Sequence, residues 1–287
     1  MTQSIVENLK ILSKSYNNLL KLIDSYETLK KIPVDNAYML EKKLNEMIKI
    51  ARELPELNLK ESISNWVKCE ENEIEQAKEE FRFKFSQELK MLLEKDGHQL
   101  RGQYPLLRIG LYTIKLDFEF GEAILYFGPE IEKLKSKIPL QPEIITETIK
   151  KYNVLLFSEK TEPEQILDSL YQAYKNRIAL TKKSWGDKLL LTEVLSEFVV
   201  LRQPKQFFID PKKENFQEYP RVKLSFLLYI LKRTNLHEHG LRLHVATFDA
   251  TTNKLHSLWI PENEEGEGTY YSYISFEKVQ NTLEGEA

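Results

Sequence analysis

The chain has 287 residues, of which 41% are hydrophobic and 30% are charged, a composition expected of a globular protein that can bury a core. No apolar run approaches the roughly 18 residues that a membrane-spanning helix needs, and MTQSIVENLK lacks the basic and apolar pattern of a signal peptide. Cys69 is the single cysteine, which excludes an internal disulfide framework and fits a reducing compartment. We therefore expect a cytoplasmic protein with no membrane contact and no cofactor.

Residues 1–97 are predicted to form an antiparallel, coiled-coil-like arm of three long helices. In the first helix, apolar residues recur at alternating spacings of four and three, which keeps them on one side of an α-helix. This seam consists of Ile5, Leu9, Leu12, Tyr16, Leu19, Ile23 and Tyr26. Val6, Leu20 and Leu22 widen the apolar stripe beyond a two-stranded seam, which favours a bundle.

Proline and glycine predict where the helices of the arm end. Pro33 interrupts the first pattern, and a second seam then runs over residues 37–54 until Pro55. A third helix is predicted from near Leu57 to Asp96, with Gly97 as its C-terminal cap. Its middle, CEENEIEQAKEE at residues 69–80, is so polar that we expect it to project into solvent.

The periodicity then changes to two, which is typical of a strand with one buried face. Ile114, Leu116, Phe118 and Phe120 alternate with polar residues, and residues 123–128 are predicted to return as a partner strand after a turn at Gly121. Helices are predicted over 130–137, 142–156 and 162–175. Residues 98–160 would thus form one α+β unit with a β-hairpin.

Residues 161–287 are predicted to form a second α+β unit. Helices are expected near 187–201 and from Pro220 to about residue 233, and the second of these is apolar nearly all round. Residues 241–249 and 254–261 are predicted to pair as a hairpin across ATTN, with a further strand at 269–279. This order is similar to that of a winged helix, although so apolar a helix offers few polar groups for reading bases.

Residues 173–235 carry 13 Lys and Arg against 6 Asp and Glu, a local net charge of +7, whereas the whole chain has a net charge of −3. Cations neutralise phosphates, and an exposed aromatic ring can stack on a base. The candidate nucleic-acid-binding residues are Lys175, Arg177, Lys182, Lys183, Trp185, Lys188, Arg202, Lys205, Lys212 and Lys213, interleaved in the connector with Phe207, Phe208 and Phe216. One alternative is that this segment binds an acidic protein. The simplest explanation of the charge excess is that these cations are dispersed over a solvated surface.

The stretch NLHEHGLRLHVATFD raises the hypothesis of a metal site. Histidines two apart on a strand share a face and can bind zinc or iron when another ligand joins them. The candidates are His239, His244 and His256, with His237 and with Glu238 or Asp249 as a carboxylate. Arg242 is expected on the same face as His244, where its charge opposes a metal ion. We therefore predict no metal site, and treat these residues as a minority hypothesis.

Other catalytic patterns are weaker. Asp117 and Glu119 on one strand are similar to part of a metal-dependent nuclease site, but the partner strand lacks an acidic residue two before a lysine. No phosphate-binding glycine loop, dinucleotide fingerprint or nucleophile elbow is found. Cys69 lies among Glu70, Glu71 and Glu73, which disfavour its thiolate.

The sequence thus predicts an α+β protein that is more readily a non-enzymatic subunit of a larger assembly than an enzyme. The arm at 1–97 would bind a protein partner or a second copy, and residues 173–235 would contact nucleic acid. The competing hypothesis is a metal-dependent hydrolase or nuclease that uses the histidines of residues 237–256.

Overall fold

The computed structural model describes residues 2–157, 162–234 and 240–277. It confirms the α+β class, with N-terminal helices followed by antiparallel sheets. The chain divides into two compact units: Met1–Gly97 with Asp117–Glu122 and Pro139–Thr146, and His98–Leu116 with Ala123–Ile138 and Glu147–Ala287. The predicted boundaries at 97 and 160 stay predictions.

The first unit contains the three predicted long helices. They are α1 (Thr2–Lys30), α2 (Pro33–Glu53) and α3 (Leu57–Lys95). Pro33 occupies the first turn of α2, where its missing N–H costs no hydrogen bond, and Gly97 follows α3 at a φ of +77°, a conformation that favours glycine. The apolar core of the arm is drawn from all three helices: Leu19 and Tyr26, Leu40, Leu44, Met47, Ala51 and Leu54, and Ile63, Val67 and Ile74.

A five-stranded sheet follows, in the order β1-β2-β3-β4-β5. Its strands are β1 (Leu100–Gln103), β2 (Leu106–Ile109), β3 (Tyr112–Asp117), β4 (Glu122–Phe127) and β5 (Glu132–Pro139). The predicted β3–β4 pair is present, but the helix predicted over 130–137 is wrong, because most of that segment is β5. Glu130 and Lys137 have φ values of +57° and +55°, which an α-helix does not accommodate. The short strands β1 and β2 were not predicted.

Helices then alternate with short strands. They are α4 (Pro142–Phe157), α5 (Pro163–Thr181), β6 (Leu189–Leu190), α6 (Leu191–Leu201), α7 (Lys205–Ile209), a 3₁₀ turn (Lys213–Asn215) and α8 (Arg221–Arg233). The chain ends its described part with β7 (Leu241–Val245), α9 (Phe248–Thr251), β8 (Leu258–Pro261) and β9 (Gly268–Phe276). The helices predicted near 142–156, 162–175, 187–201 and 220–233 are confirmed.

The second sheet has the order β6-β9-β7, and β8 also pairs with β9. The hairpin predicted across ATTN is wrong. Tyr271 of β9 pairs with Val245 of β7 and with Leu258 of β8, so β7 and β8 lie on opposite sides of β9 and cannot pair with each other. Two adjacent amphipathic strands look like a hairpin in sequence, but here a later strand lies between them. The winged-helix likeness stays a prediction.

The core of the second unit surrounds α8. Eight of its thirteen residues are buried, and Leu224, Leu227, Leu228, Tyr229 and Leu231 join a cluster with side chains of α5, α6 and β9. The five-stranded sheet packs against the same region, since Phe127 contacts the Trp259 ring at 5.5 Å and Arg221 Nε donates to Glu132 at 3.1 Å. Because α8 is buried on nearly all sides, its side chains do not form an exposed recognition surface. Among the described residues, no helix has the length and apolar character needed to cross a bilayer.

Candidate interaction surfaces

Three contacts fix the position of α1 along the arm. The Tyr16 hydroxyl donates a hydrogen bond to the carboxylate of Glu56, the residue directly before α3. Further along, the Tyr26 hydroxyl donates to Glu70 at 2.5 Å, and Lys30 Nζ lies 2.7 and 2.5 Å from the two oxygens of the same carboxylate. The part of α1 from Tyr16 onward therefore lies beside α3. Residues 2–15 of α1 extend past the start of α3 and do not lie beside it.

Exposure along the α1 seam changes at the same level. Leu9 is 61% exposed, whereas Leu19 and Tyr26, on the same stripe, are 5% and 0% exposed. Val6, Ile11 and Leu20 are also exposed, and on α1 the packed core begins at Tyr16. The arm thus covers the second half of the predicted seam, and Leu12 is half-buried at its edge. At Val6, Leu9 and Ile11 the helix presents uncovered apolar side chains.

The middle of α3 projects into solvent over most of its length, as predicted, but Glu70, Ile74, Ala77 and Lys78 are buried. Glu70 is only 8% exposed and accepts hydrogen bonds from Tyr26 and Lys30. Burial alone would raise the pKa of Glu70, but these hydrogen bonds and the charge of Lys30 outweigh it and hold the pKa below its ordinary value. Burial and the bond to Glu70 raise the pKa of Tyr26. The prediction fails at Glu70 because the polar side chain finds its partners on another helix.

Lys78, in the same run, is 4% exposed and pairs with Glu41 at 2.8 Å and with Glu75 at 3.4 Å. Its ammonium also lies 5.2 Å from the centre of the Tyr38 ring. Burial alone would lower the pKa of Lys78, and the two carboxylates more than reverse this. Lys78 therefore stays charged inside the arm, where it links α2 with α3.

Asp117 and Glu119, the carboxylates considered for a nuclease site, make contacts that do not fit metal binding. Asp117 ends β3 and accepts a hydrogen bond from the Phe120 amide at 3.1 Å, which is a turn contact. Glu119 lies in the turn and not on a strand, and it is 3.9 Å from Lys78. Asp117 thus stabilises a turn and Glu119 pairs with a buried lysine, so the two are not arranged as metal ligands. Cys69 is exposed on α3.

The first part of the basic segment lies at the end of α5 and in the loop before β6. Lys175, Lys182, Lys183 and Lys188 are exposed, while Arg177 pairs with Glu193 at 2.6 Å. Lys182 caps α5 in the left-handed conformation, and Lys183 Nζ donates to the backbone oxygen of Lys188 at 3.1 Å. This loop brings Lys183 and Lys188 together.

Trp185 does not offer a free ring for base stacking. It is half-buried, with its ring centre 5.1 Å from that of Tyr171 and 5.3 Å from that of Tyr174. Tyr174 also belongs to the core of the second unit. We therefore assign Trp185 to packing beneath the basic loop.

The second part of the basic segment lies in the connector between α6 and α8. Arg202 contacts Tyr219 at 3.3 Å, Lys212 pairs with Asp210 at 2.9 Å, and Lys205 and Lys213 are exposed. The phenylalanines of the connector cluster with each other: the Phe207 ring centre is 5.7 Å from Phe208 and 5.6 Å from Phe216. Phe208 and Phe216 are nevertheless exposed. The connector thus presents aromatic rings beside its cations.

The histidines do not converge in the described part of the chain. His244 Nε2 lies 2.9 Å from Ser275 Oγ, and exposed His256 contacts Asn253. His237, Glu238 and His239 lie outside the described residues. Among those that are described, no group of three His, Cys, Asp or Glu side chains is placed to hold a metal ion. Asp249 is exposed on α9.

His244 instead marks a cationic surface whose residues come from two separate segments of the sequence. Burial lowers the pKa of His244 first, and the charges of Lys188 and Arg242 lower it further. Lys188 precedes β6 and Arg242 lies on β7, so the second sheet brings them near one histidine. Arg242 is also paired with Glu277 at 2.6 Å. Together with Lys182 and Lys183, these residues form what we name the basic loop surface.

No protein-family model, curated protein or solved structure matches the chain. Function is therefore inferred from the two surfaces themselves.

Proposed function

We propose that the protein is a non-enzymatic subunit of a larger assembly and that it binds its partner through the first half of α1. The observation that carries this proposal is the seam residue Leu9, which is 61% exposed although Leu19 and Tyr26 on the same stripe are buried. A lone helix of about fourteen residues is only marginally stable in water. An apolar partner on this seam would stabilise the helix and remove its leucines from solvent.

The native size of the full chain in extracts of its source cells tests this proposal. Val6→Asp/Leu9→Asp places charges on the exposed seam without introducing an unfavourable charge at a helix N-terminus. We expect this variant to leave the larger species and to appear at a smaller size. Lys10→Asp/Lys14→Asp, a control off the seam with a larger change in charge, should keep the wild-type size. An unchanged size for the seam variant would refute partner binding through α1.

A second function, contact with nucleic acid, is favoured by the basic loop surface. Lys182, Lys183 and Lys188 are exposed and have no ion-pair partner among the described residues, and Lys188 lies close enough to His244 to lower its pKa. Phosphate contacts by such lysines release counterions and make binding dependent on salt. Since α8 is buried, this contact would involve the nucleic-acid backbone and would carry little sequence preference.

Binding of single- and double-stranded oligonucleotides at several salt concentrations tests this second function. Lys182→Glu/Lys183→Glu/Lys188→Glu should weaken binding and lower the salt slope by about one for each phosphate that is no longer neutralised. Lys42→Glu/Lys49→Glu/Lys90→Glu, equal in charge change but placed on the arm, should have a smaller effect. Equal effects of the two triple variants, or binding that does not depend on salt, would refute nucleic-acid contact by this surface.

The alternative function, a metal-dependent hydrolase or nuclease that uses His237, His239, His244 and His256, has no supporting geometry in the described residues. Metal analysis of the purified protein separates it from the proposal. Stoichiometric zinc, manganese or iron that is lost in His239→Ala and His244→Ala would overturn the non-enzymatic function.

A further inference from the structure

The length of the uncovered part of α1 follows from its contacts with the rest of the arm. Tyr16 is level with Glu56, which precedes α3, and Lys21 and Leu22 line one groove with Glu46 and Ile50 of α2. These pairs place the end of α2, at Glu53, near the level of Ser15. Residues 2–15 therefore continue α1 beyond both other helices for about 20 Å, at a rise of 1.5 Å per residue.

The sequence of this projecting segment is that of one strand of a coiled coil. Its seam residues Leu9 and Leu12 continue the alternating spacing of the buried seam. The positions that flank a coiled-coil seam usually carry the charges that select a partner. Here the flanking residues are Val6, Asn8, Ser13 and Ser15, all uncharged. Glu7, Lys10 and Lys14 fall on the opposite side of the helix.

We infer that the projecting segments of two copies of this chain pair with each other as a two-stranded antiparallel coiled coil. This inference rests on the proposed function and names the partner as a second copy. Uncharged flanks permit self-pairing because identical helices meet without like charges opposite each other. A charged partner helix would find no complementary charges beside this seam, which disfavours a different protein as the occupant.

The antiparallel orientation follows from where the arm lies on α1. From Tyr16 onward, α2 and α3 cover the same stripe to which Leu9 and Leu12 belong. In a parallel pair, each copy's α2 and α3 would fill the space on the seam side where the other copy continues, so the arms would collide. In an antiparallel pair the arms lie at opposite ends, and the exposed parts of the two α1 helices overlap.

Pairing centred on Leu9, the seam residue that is 61% exposed, places Leu9 of both copies near the two-fold axis. The two copies of Leu12 are then separated by about 9 Å along the helices, at 1.5 Å per residue. Two cysteines form a disulfide only when their Cα atoms lie within about 7 Å. Leu9→Cys should therefore cross-link the copies, and Leu12→Cys should not.

Sedimentation of the purified full chain and oxidation of the cysteine variants test the inference. Wild type should shift from monomer to dimer mass as concentration rises, because an interface of this length is short and dissociates on dilution. Val6→Asp/Leu9→Asp should stay a monomer, and Lys10→Asp/Lys14→Asp should behave as wild type. In a Cys69→Ser background, Leu9→Cys should give a covalent dimer at least tenfold faster than Leu12→Cys.

A purified chain that stays monomeric at every concentration would overturn the second copy as partner. Equal cross-linking through positions 9 and 12 would overturn the antiparallel register. Neither outcome decides the proposed function, which depends on the native-size measurement in cell extracts. A monomer that still leaves a larger species on Val6→Asp/Leu9→Asp would show that α1 binds a different protein.

Discussion

The two halves of α1 carry one apolar pattern but have opposite environments. From Tyr16 to Tyr26 the stripe packs on α2 and α3, and Tyr26 is fully buried. From Val6 to Ile11 the same helix exposes its large apolar side chains. The pattern itself does not change between them. What changes is the presence of neighbouring helices, since α3 begins only at the level of Tyr16.

This difference shows that a seam predicts which face of a helix is apolar but not what covers it. The buried half contributes to the stability of the arm. The exposed half contributes nothing to the isolated chain beyond its own weak helix propensity. Changes matched in chemistry but placed in different halves should therefore have separate effects, one on stability and the other on association.

The largest expected effect comes from truncating the seam in its buried half. Leu19→Ala should lower the free energy of local opening of α1 by about 2–4 kcal/mol, because it removes a buried side chain and leaves a cavity. Leu9→Ala, the matched change in the exposed half, should lower it by less than about 0.5 kcal/mol in dilute solution. Hydrogen exchange of the amides of residues 19–30 in the full chain measures both.

For association we expect the reverse order, with the larger effect from the substitution in the exposed half. Leu9→Ala should weaken dimerisation, while a folded Leu19→Ala protein should keep it. Equally reduced protection in the two variants would contradict the division of α1 at Tyr16.

A smaller effect is expected from the charge buried beside the second half of α1. Glu70→Gln should reduce the protection of residues 19–30 by about 1–2 kcal/mol at neutral pH, because it removes the charge of a hydrogen-bonded, buried pair. The pKa of Glu70 is lower in the folded protein than its ordinary value of 4.5. Its contribution is therefore complete above about pH 4.5 and is lost as the pH falls through the lower, folded-state pKa.

Hydrogen exchange at neutral pH and at acidic pH, corrected for the intrinsic rate, measures this dependence. The difference between wild type and Glu70→Gln should shrink in acid. Glu56→Gln, at the level where the two halves meet, should show little change at either pH, since Glu56 is exposed. A difference for Glu70→Gln that stays constant with pH would mean that its charge does not stabilise the arm.

The sequence predicts the elements that repeat with a clear period and misses those defined by distant partners. The three arm helices are predicted because their apolar periodicity extends over many residues, and α8 is predicted from its long apolar run after Pro220. The segment 130–137 resembles a helix in sequence although most of it forms β5, an edge strand that is defined by its pairing with β4. The predicted pairing of β7 and β8 is wrong because β9, which lies between them, follows later in the chain.

The candidate surfaces are predicted in part for the same reason. The excess of cations in residues 173–235 is visible as a local charge, but Arg242 joins Lys188 only through the second sheet. The sequence does not show that Trp185 packs on Tyr171 and Tyr174. Glu70 and Lys78 resemble solvated residues in sequence because their partners are about forty residues away.

The smallest expected effect comes from removing single tyrosine hydroxyl groups, one within the buried half of α1 and one where the two halves meet. Tyr26→Phe removes a buried donor to Glu70, and it should reduce the protection of residues 19–30 by about 1 kcal/mol, the net value of a typical hydrogen bond. Tyr16→Phe removes a hydroxyl bonded to the exposed Glu56, where water can replace it, so its effect on this protection should be smaller than that of Tyr26→Phe. Hydrogen exchange of the same amides compares the two substitutions. If Tyr16→Phe proved the more costly, the level at which α1 leaves the arm would lie closer to its N-terminus than Tyr16, and the projecting segment would be too short to pair.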